Sequence, residues 1–458
     1  MRLNELNEWI NQKFLQSIST ELDSRNKPSV KAQKSIKLSV VTQFFPPDYA
    51  ATGQLLEELV RQLEKQGVDI EVFTSQPGYA FSSHTASEVE WADQIRIQRS
   101  RTAQLWPGRI RGKAVNGVLY TLRATLYLLK AWRRNNILLL TTAPPFLPVI
   151  GYLAYLLFRL PYVCILYDLY PDIAIALGVI SKSNWLVRLW RGINKQVWLN
   201  AKGIIVLSPA MKQQVVAHCP EVADKISIIH SWANPEVIVP IAKRENWFAW
   251  KYNLVNKFTV LYSGNMGRCH DIDTMLEAAK ELQDEPIQFV CIGGGAKRDE
   301  LITEVNRLGL NNFTFLPYQD QQVLPYSLTA CDLSLVSVDA TTEGLVVPCK
   351  FYSALASGRP IAVICSQTSY LREMMSEANC GGTFDNGDAQ GLAQFIRFLN
   401  RDPQVAEQMG KAGRQYLRSS HFTPKVISQQ YLDVLQQALL SDEIKTMSES
   451  DVKQADWS

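Results

Sequence analysis

At 458 residues the chain is long for one hydrophobic core, and two domains of ordinary size are expected. A hydrophobic fraction of 47% with 20% charged residues excludes a disordered chain. Eight cysteines scattered without a CxxC pair argue against a structural zinc site and for a reducing, cytosolic compartment.

Residues 1–35 are polar and lack an apolar core of the length a signal peptide needs, so they read as an accessory extension. From residue 36 onward, short apolar runs alternate with helical stretches such as GQLLEELVRQLEKQG (53–67). The runs IKLSVVTQFF (36–45), DIEVFTS (69–75), NILLLTT (136–142), YVCILYD (162–168) and GIIVLS (203–208) predict parallel strands buried on both faces. The net charge is only +3, but between residues 94 and 167 there are eleven Lys or Arg and no Asp or Glu. Within that stretch Val115, Val118, Leu119, Leu122, Leu126 and Leu129 fall at helical spacing, with Arg123, Lys130, Arg133 and Arg134 left for the polar side. Such a helix suits an anionic membrane surface, or else a core position beneath a solvated basic face. No base-reading motif accompanies it, so nucleic acid is not expected as a partner. The uncharged segment Ile137 to Phe158 is long enough to span a bilayer, yet Pro144, Pro145, Pro148 and Gly151 divide it into a strand, a turn and a helix.

Strand character lapses over 235–256, where Pro235 and Pro240 precede an aromatic, charged stretch that reads as a linker. A second series then begins with FTVLYSG (258–264), IQFVCIGGG (287–295), FTFLPY (313–318), LSLVSV (333–338) and PIAVIC (360–365). The fold class expected is α/β, with two Rossmann-like doubly wound domains facing each other across a cleft, at 36–234 and 257–423. A helix at 424–440 is expected to pack back on the N-terminal domain, and a polar tail at 441–458 to be disordered.

Ligands of open α/β sheets sit beyond the carboxyl ends of the strands, which directs attention to the loops that follow them. After the first strand, Gly53 opens a helix and lets a backbone approach a ligand closely. After the 258–264 run, Gly264 and Gly267 flank Asn265 and Met266, with Arg268 next, in what is either a phosphate cradle or an ordinary tight turn. Gly293, Gly294 and Gly295 follow the next strand without forming a GxGxxG fingerprint, which disfavours a nicotinamide enzyme. Pro348 and Gly358 bracket a helix, Cys349 to Ser357, whose first turn carries Lys350. A cation there opposes the helix dipole at a cost of about 0.3–1 kcal/mol when exposed, and a bound anion would reverse the sign. Together these loops suit a nucleotide diphosphate.

The stretches LYSGNMGRCHDIDTMLEAA, FVCIGGGAKRDEL, FTFLPY and EGLVVPCKFYSALASGRPIAV resemble the GT-B glycosyltransferases of retaining family 4, a resemblance covering roughly residues 36–440. DLYPDIAIALGVI, VLSPAMKQQV and PCKFYSALASGRPI are similar to its branch of colanic-acid and O-antigen amino-sugar or fucosyl transferases. The resemblance implies transfer from a nucleotide-sugar donor to a glycan or polyprenyl-linked acceptor, in cell-surface polysaccharide synthesis at the inner face of the cytoplasmic membrane. It implies no metal, and no cofactor besides the nucleotide-sugar substrate. Two departures stand out. Where the family has an Arg directly after the glycine matched by Gly264, and a Lys five residues beyond, this chain has Asn265 and His270. The second glutamate of the family's Glu-x7-Glu pair is Ser353, with Glu343 ten residues before it. Lys350 and Arg268, with the Gly264 to Gly267 backbone, are therefore expected to stabilise the departing diphosphate. Glu343, Gly293, Gly294 and Tyr318 are expected to contact the donor, alongside Gly53. Asp168, ending YVCILYD, is expected near the anomeric carbon, with Asp172 as its rival, while His84 and His270 read as non-catalytic. A non-hydrolysing nucleotide-sugar 2-epimerase and a non-catalytic sugar-nucleotide binder are the alternative readings.

Overall fold

The computed structural model describes residues 35–48, 50–77, 86–100 and 110–455, with 443–455 and positions 110, 111, 113 and 114 described by backbone alone. The extension up to residue 34, His84 and the last three residues lie outside this set.

The first half runs β1 (Lys37–Val41), α1 (Ala51–Lys65), β2 (Asp69–Ser75), β3 (Val89–Ala92), β4 (Ile95–Ser100), α2 (Ile110–Ala131), β5 (Ile137–Thr141), α3 (Pro148–Phe158), β6 (Tyr162–Leu166), α4 (Asp172–Ala176), α5 (Trp185–Asn200), β7 (Gly203–Val206), α6 (Pro209–His218) and β8 (Ile226–Ile228). Its eight strands lie in the order β3-β4-β2-β1-β5-β6-β7-β8, with β3 antiparallel to β4 and the other pairs parallel. Every residue of β5 and β6 is buried, as parallel strands covered by helices require.

The second half runs α7 (Trp247–Lys251), β9 (Phe258–Ser263), α8 (Asp273–Glu281), β10 (Ile287–Ile292), α9 (Arg298–Leu308), β11 (Phe313–Leu316), α10 (Leu324–Thr329), β12 (Leu333–Ser337), α11 (Lys350–Ser357), β13 (Ile361–Ile364), α12 (Tyr370–Ala378), β14 (Gly381–Phe384), α13 (Ala389–Arg401), α14 (Pro403–Ser419) and α15 (Pro424–Ala455). Six parallel strands lie in the order β11-β10-β9-β12-β13-β14. Strand order reverses between β1 and β5 in one sheet and between β9 and β12 in the other, and beyond such switch points a ligand crevice opens. The described residues from Lys37 onward form one compact unit holding both sheets.

The stretch 235–256, read as a linker, is part of the second half's core. Phe248, Ala249 and Leu254 are buried with Leu261, Val290 and Val336, and Arg414 and Arg359 hold the carbonyls of Pro235, Ile238 and Ile241. The aromatic residues that interrupt strand patterning there do so because they pack as a short helix. The last helix lies against the first half: Ser428 accepts from Gln66 Nε2 at 2.8 Å, and Lys202 pairs with Asp442 at 2.6 Å. Its backbone stays helical through Ala455, which corrects the expectation of disorder from 441.

The segment 137–158 divides into β5, a turn and α3, and among the described residues no helix is long and apolar enough to cross a membrane. In α2, Gly117, Tyr120, Ala124, Tyr127 and Leu128 face the sheet. The Tyr120 hydroxyl lies 2.6 Å from Thr42 O and 3.0 Å from Phe73 O, and Tyr127 stacks on Phe73 at 4.3 Å. Those bonds turn Val118, Leu122, Leu126 and Leu129 outward, at 45 to 58% exposure. The helix is apolar on two sides, and only one of them is in the core.

Candidate active site

Two glycine loops at the β9–β10 edge interlock through their backbones. Gly264 N donates to Ile292 O at 2.8 Å, Met266 N to Gly294 O at 2.6 Å, and Lys297 N to Met266 O at 2.9 Å. A Cβ on Gly293 would stand 2.1 Å from Gly264 O, and one on Gly295 2.4 Å from Asn265 Oδ1, so neither position tolerates a side chain. Both also hold φ near +127°, where L side chains are rare. The Asn265 side chain is wedged between Gly295 and Gly267, and the Met266 side chain is fully buried, leaving only backbone from Met266 to meet a ligand. Tyr318 lies across Gly293 and Gly294, its ring 3.0 Å from where a Gly294 Cβ would be.

Lys350, the first residue of α11, reaches into this arrangement from the far side of the switch point. Its Nζ donates to the Tyr262 hydroxyl at 2.6 Å and to Asn265 O at 3.2 Å, and sits 4.0 Å from the centre of the Tyr262 ring. No carboxylate pairs with it among the described residues, and burial pushes the ammonium pKa down to about 7. Lys297 brings a second ammonium to the same loop, donating to His270 O at 2.7 Å. Sequence reading passed over this residue, although its place directly after the Gly293–Gly295 run and one alanine was the available signal.

His270 is half-buried, with Nδ1 2.8 Å from Ser337 O, so that nitrogen carries the proton. Burial first, and the nearby Lys350 second, depress its pKa to about 3, so it is neutral and does not replace the family's lysine charge. Arg268 is exposed and pairs with no acid among the described residues. Ser353 turns back into its own helix, donating to Lys350 O at 2.9 Å. Glu343 lies against Ser369 and the Gly344 backbone; burial raises its pKa, and Oε2 has no partner.

Gly53 is packed closely by its own chain. A Cβ there would meet the Phe44 carbonyl at 3.1 Å, so its lack of a side chain permits the close approach of the preceding loop.

Asp168 comes to the site from the other sheet. Beyond β6 the chain forms an antiparallel bridge between Asp168 and Val346, and Leu169 N donates to Leu345 O at 3.1 Å. Thr142 Oγ1 accepts from Tyr167 N at 3.1 Å and Asp168 N at 3.3 Å. The carboxylate is thereby fixed on the backbone that leads, four residues past Val346, into Lys350. It makes no hydrogen bond or ion pair among the described residues, and burial raises its pKa to about 6. Asp172, in contrast, pairs with Arg191 at 2.5 Å and lies 3.3 Å from His218 Nε2, tying together α4, α5 and α6. Among the described residues no group of three or more His, Cys, Asp or Glu is placed to hold a metal ion.

Comparison with known proteins bears on both halves. The family model described as Glycosyltransferase Family 4 matches residues 52–237, and that described as Glycosyl transferases group 1 matches residues 244–416. The chain is 22% identical to "Probable glycosyltransferase WbjE" of Pseudomonas aeruginosa over 79% of its own length and 88% of that protein's. Over 103 residues, 22% of this chain and 25% of the other, it is 36% identical to WcaI, the glycosyl transferase assigned to colanic acid biosynthesis in Escherichia coli K12. The crystal structure of Anabaena HepE in complex with UDP-glucose shares the fold at a TM-score of 0.65 and 16% identity, covering 87% of this chain and 99% of that one.

Replacing Asp168 by Asn removes a buried charge that nothing pairs. Its folded pKa of about 6 lies above the ordinary aspartate value of 3.8, so ionisation weakens the fold as pH rises through that window. Thermal denaturation of Asp168→Asn is expected to show a gain of about 1–3 kcal/mol over the wild type at pH 7.5, shrinking to nothing below about pH 4. A gain that did not vary with pH would contradict the assignment.

Proposed function

Because the chain is a family 4 glycosyltransferase with the GT-B fold, we propose that it moves a sugar, with retention, from a nucleotide-sugar donor to a glycan or polyprenyl-linked acceptor in cell-surface polysaccharide synthesis. The observation that carries this reading is the Lys350 ammonium, held without a carboxylate beside two interlocked glycine loops at a switch point. As the sugar leaves, negative charge grows on the nucleotide diphosphate. Lys350 and Lys297 stabilise that charge, so the reading requires no metal. Arg268, exposed on the same loop, closes over the phosphates, and Tyr318 stacks on the base. Asp168, on the opposite side of the cleft and ionised at neutral pH, stabilises the positive charge that develops at the anomeric carbon.

The acceptor is met at the inner face of the cytoplasmic membrane. Helices α2, α3 and α5 are neighbours, linked by Trp132 stacked on Phe158 at 4.7 Å and Phe146 stacked on Trp190 at 4.7 Å. Their outer sides present Leu122, Leu126, Leu157, Trp185 and Leu189, each more than half exposed. Arg123, Lys130, Arg133 and Arg188 are exposed beside them, and none of the three helices carries an acid. An apolar patch of this extent with a cationic rim suits the headgroup layer of an anionic leaflet.

With UDP- and GDP-sugars and a bacterial lipid extract, the wild type is expected to transfer labelled sugar and Lys350→Ala to lose about a hundredfold or more in rate. An unchanged rate in Lys350→Ala removes the assignment. In flotation with phosphatidylglycerol vesicles, the wild type is expected to float at low salt and to dissociate as salt rises, while the double variant Leu122→Glu, Leu126→Glu stays at the bottom. Binding indifferent to salt, or absent, contradicts the membrane assignment.

A further inference from the structure

The Lys350 amine is held in a way that suits a nucleophile as well as a cation. Burial keeps the Tyr262 phenol protonated, and its hydroxyl donates to Asn265 O at 3.2 Å, so toward Lys350 Nζ, 2.6 Å away, it accepts. Asn265 O, a carbonyl, accepts from Nζ as well, at 3.2 Å. A neutral amine has two N–H groups, and these two oxygens take both. Its lone pair fills the remaining position, directed away from Tyr262 and Asn265. The stem is fixed too, with Cε 3.6 Å from where a Cβ on Gly264 would stand and Nζ 4.0 Å from the centre of the Tyr262 ring.

Several other lysines are matched by a carboxylate, Lys195 by Glu221, Lys202 by Asp442 and Lys243 by Asp332. Such a partner favours the ammonium form, which has no lone pair to offer. Lys350 has none among the described residues, and its side chain is partly exposed, so a small reagent reaches it. With a pKa of about 7 the amine form is abundant at pH 7.5, where a lysine of ordinary pKa is neutral in roughly one molecule in a thousand. Against the same amine lie the interlocked loops of Gly264–Gly267 and Gly293–Gly295, with the Lys297 ammonium bonded to His270 O at their edge. A phosphate seated there carries whatever is bonded to it alongside the lone pair. An acyl phosphate matches both parts of the arrangement, its phosphate meeting the loops and its carbonyl carbon the amine.

We propose that Lys350 is an acylation site, modified by a small acyl phosphate whose phosphate group sits in the glycine loops. This rests on the transferase reading, which supplies the phosphate role of the loops, and gives its central lysine a second fate. The amine attacks the carbonyl carbon, the N–C bond forms as the C–O bond to phosphate breaks, and phosphate leaves with that electron pair. The proton shed by the nitrogen passes to the phosphate, so the products are an amide and hydrogen phosphate. The amide carries no charge and a single N–H, so the diphosphate loses its cation and either Tyr262 or Asn265 loses a donor. A bound diphosphate in turn protonates and covers the amine. Donor and acylation therefore exclude each other, and the modification silences the transferase only while its donor is scarce.

The test treats the full chain with acetyl phosphate at pH 7.5 and follows each lysine by peptide mass spectrometry, beside a sample treated with the phosphate-free N-hydroxysuccinimide ester of acetic acid. With acetyl phosphate, Lys350 is expected to be acetylated about tenfold or more faster than the exposed Lys280 and Lys411, and UDP or GDP to slow it about tenfold. With the ester, the preference for Lys350 is expected to fall by about threefold or more, because no phosphate guides the reagent. Acetylation of Lys350 no faster than that of Lys411, or the same preference with both reagents, overturns the proposal. Thermal shifts by UDP and GDP are read in parallel. Fast, phosphate-guided acetylation that neither nucleotide slows, with no thermal shift by either, would instead fail the transferase reading and leave the acylation site standing.

Discussion

An ammonium held by an aromatic ring and two neutral oxygens, where a carboxylate would ordinarily stand, is the constraint around which the second half is arranged. Lys350 is anchored by Tyr262 and Asn265, and nothing nearby cancels its charge. Contact with the ring returns about 0.5–2 kcal/mol, less than the cost of removing a cation from water, and the lowered pKa records the difference. The surrounding structure tolerates that cost. The strands that position Tyr262 and the glycines that admit Asn265 also bring the side chain of the first residue of α11 to the same loop. Each of these features suits an anion.

The second requirement is that the two sheets meet. The Asp168–Val346 bridge and the Leu169–Leu345 hydrogen bond join the end of β6 to the loop before α11, so the carboxylate and the ammonium are positioned by one short piece of shared backbone. Charges of opposite sign, neither in an ion pair among the described residues, are carried by the two segments that this bridge joins. Such a pairing weakens the fold when the cleft is empty and suits a ligand whose two ends develop opposite charges.

Much of this was legible in the sequence because the relevant signals are local. Parallel strands buried on both faces give unbroken apolar runs, and Pro348 and Gly358 mark the α11 helix to within a residue. Glycines next to strand ends pointed to the interlocked loops. What escaped depends on contacts distant in sequence. That Lys350 would choose Tyr262, 88 residues earlier, has no local signature. Asp168 and Asp172 look alike until Arg191 and His218 fold over the second. That Phe44 would press against Gly53 is likewise not written in the local sequence. The aromatic segment at 247–251 resembles a linker because a five-residue helix is too short to show a period, and α2 conceals which of its two apolar sides is inward until Tyr120 finds its carbonyl partners.

The account turns on the charge of Lys350 when a diphosphate arrives, and calorimetry of UDP and GDP binding at pH 8 in buffers of different ionisation heat measures it directly. With a free pKa of about 7 the amine is mostly neutral at that pH, and a bound diphosphate restores its proton. The account predicts uptake of about one proton for each nucleotide bound by the wild type and none by Lys350→Met. Binding without proton uptake in the wild type, or the same uptake in both proteins, would contradict it.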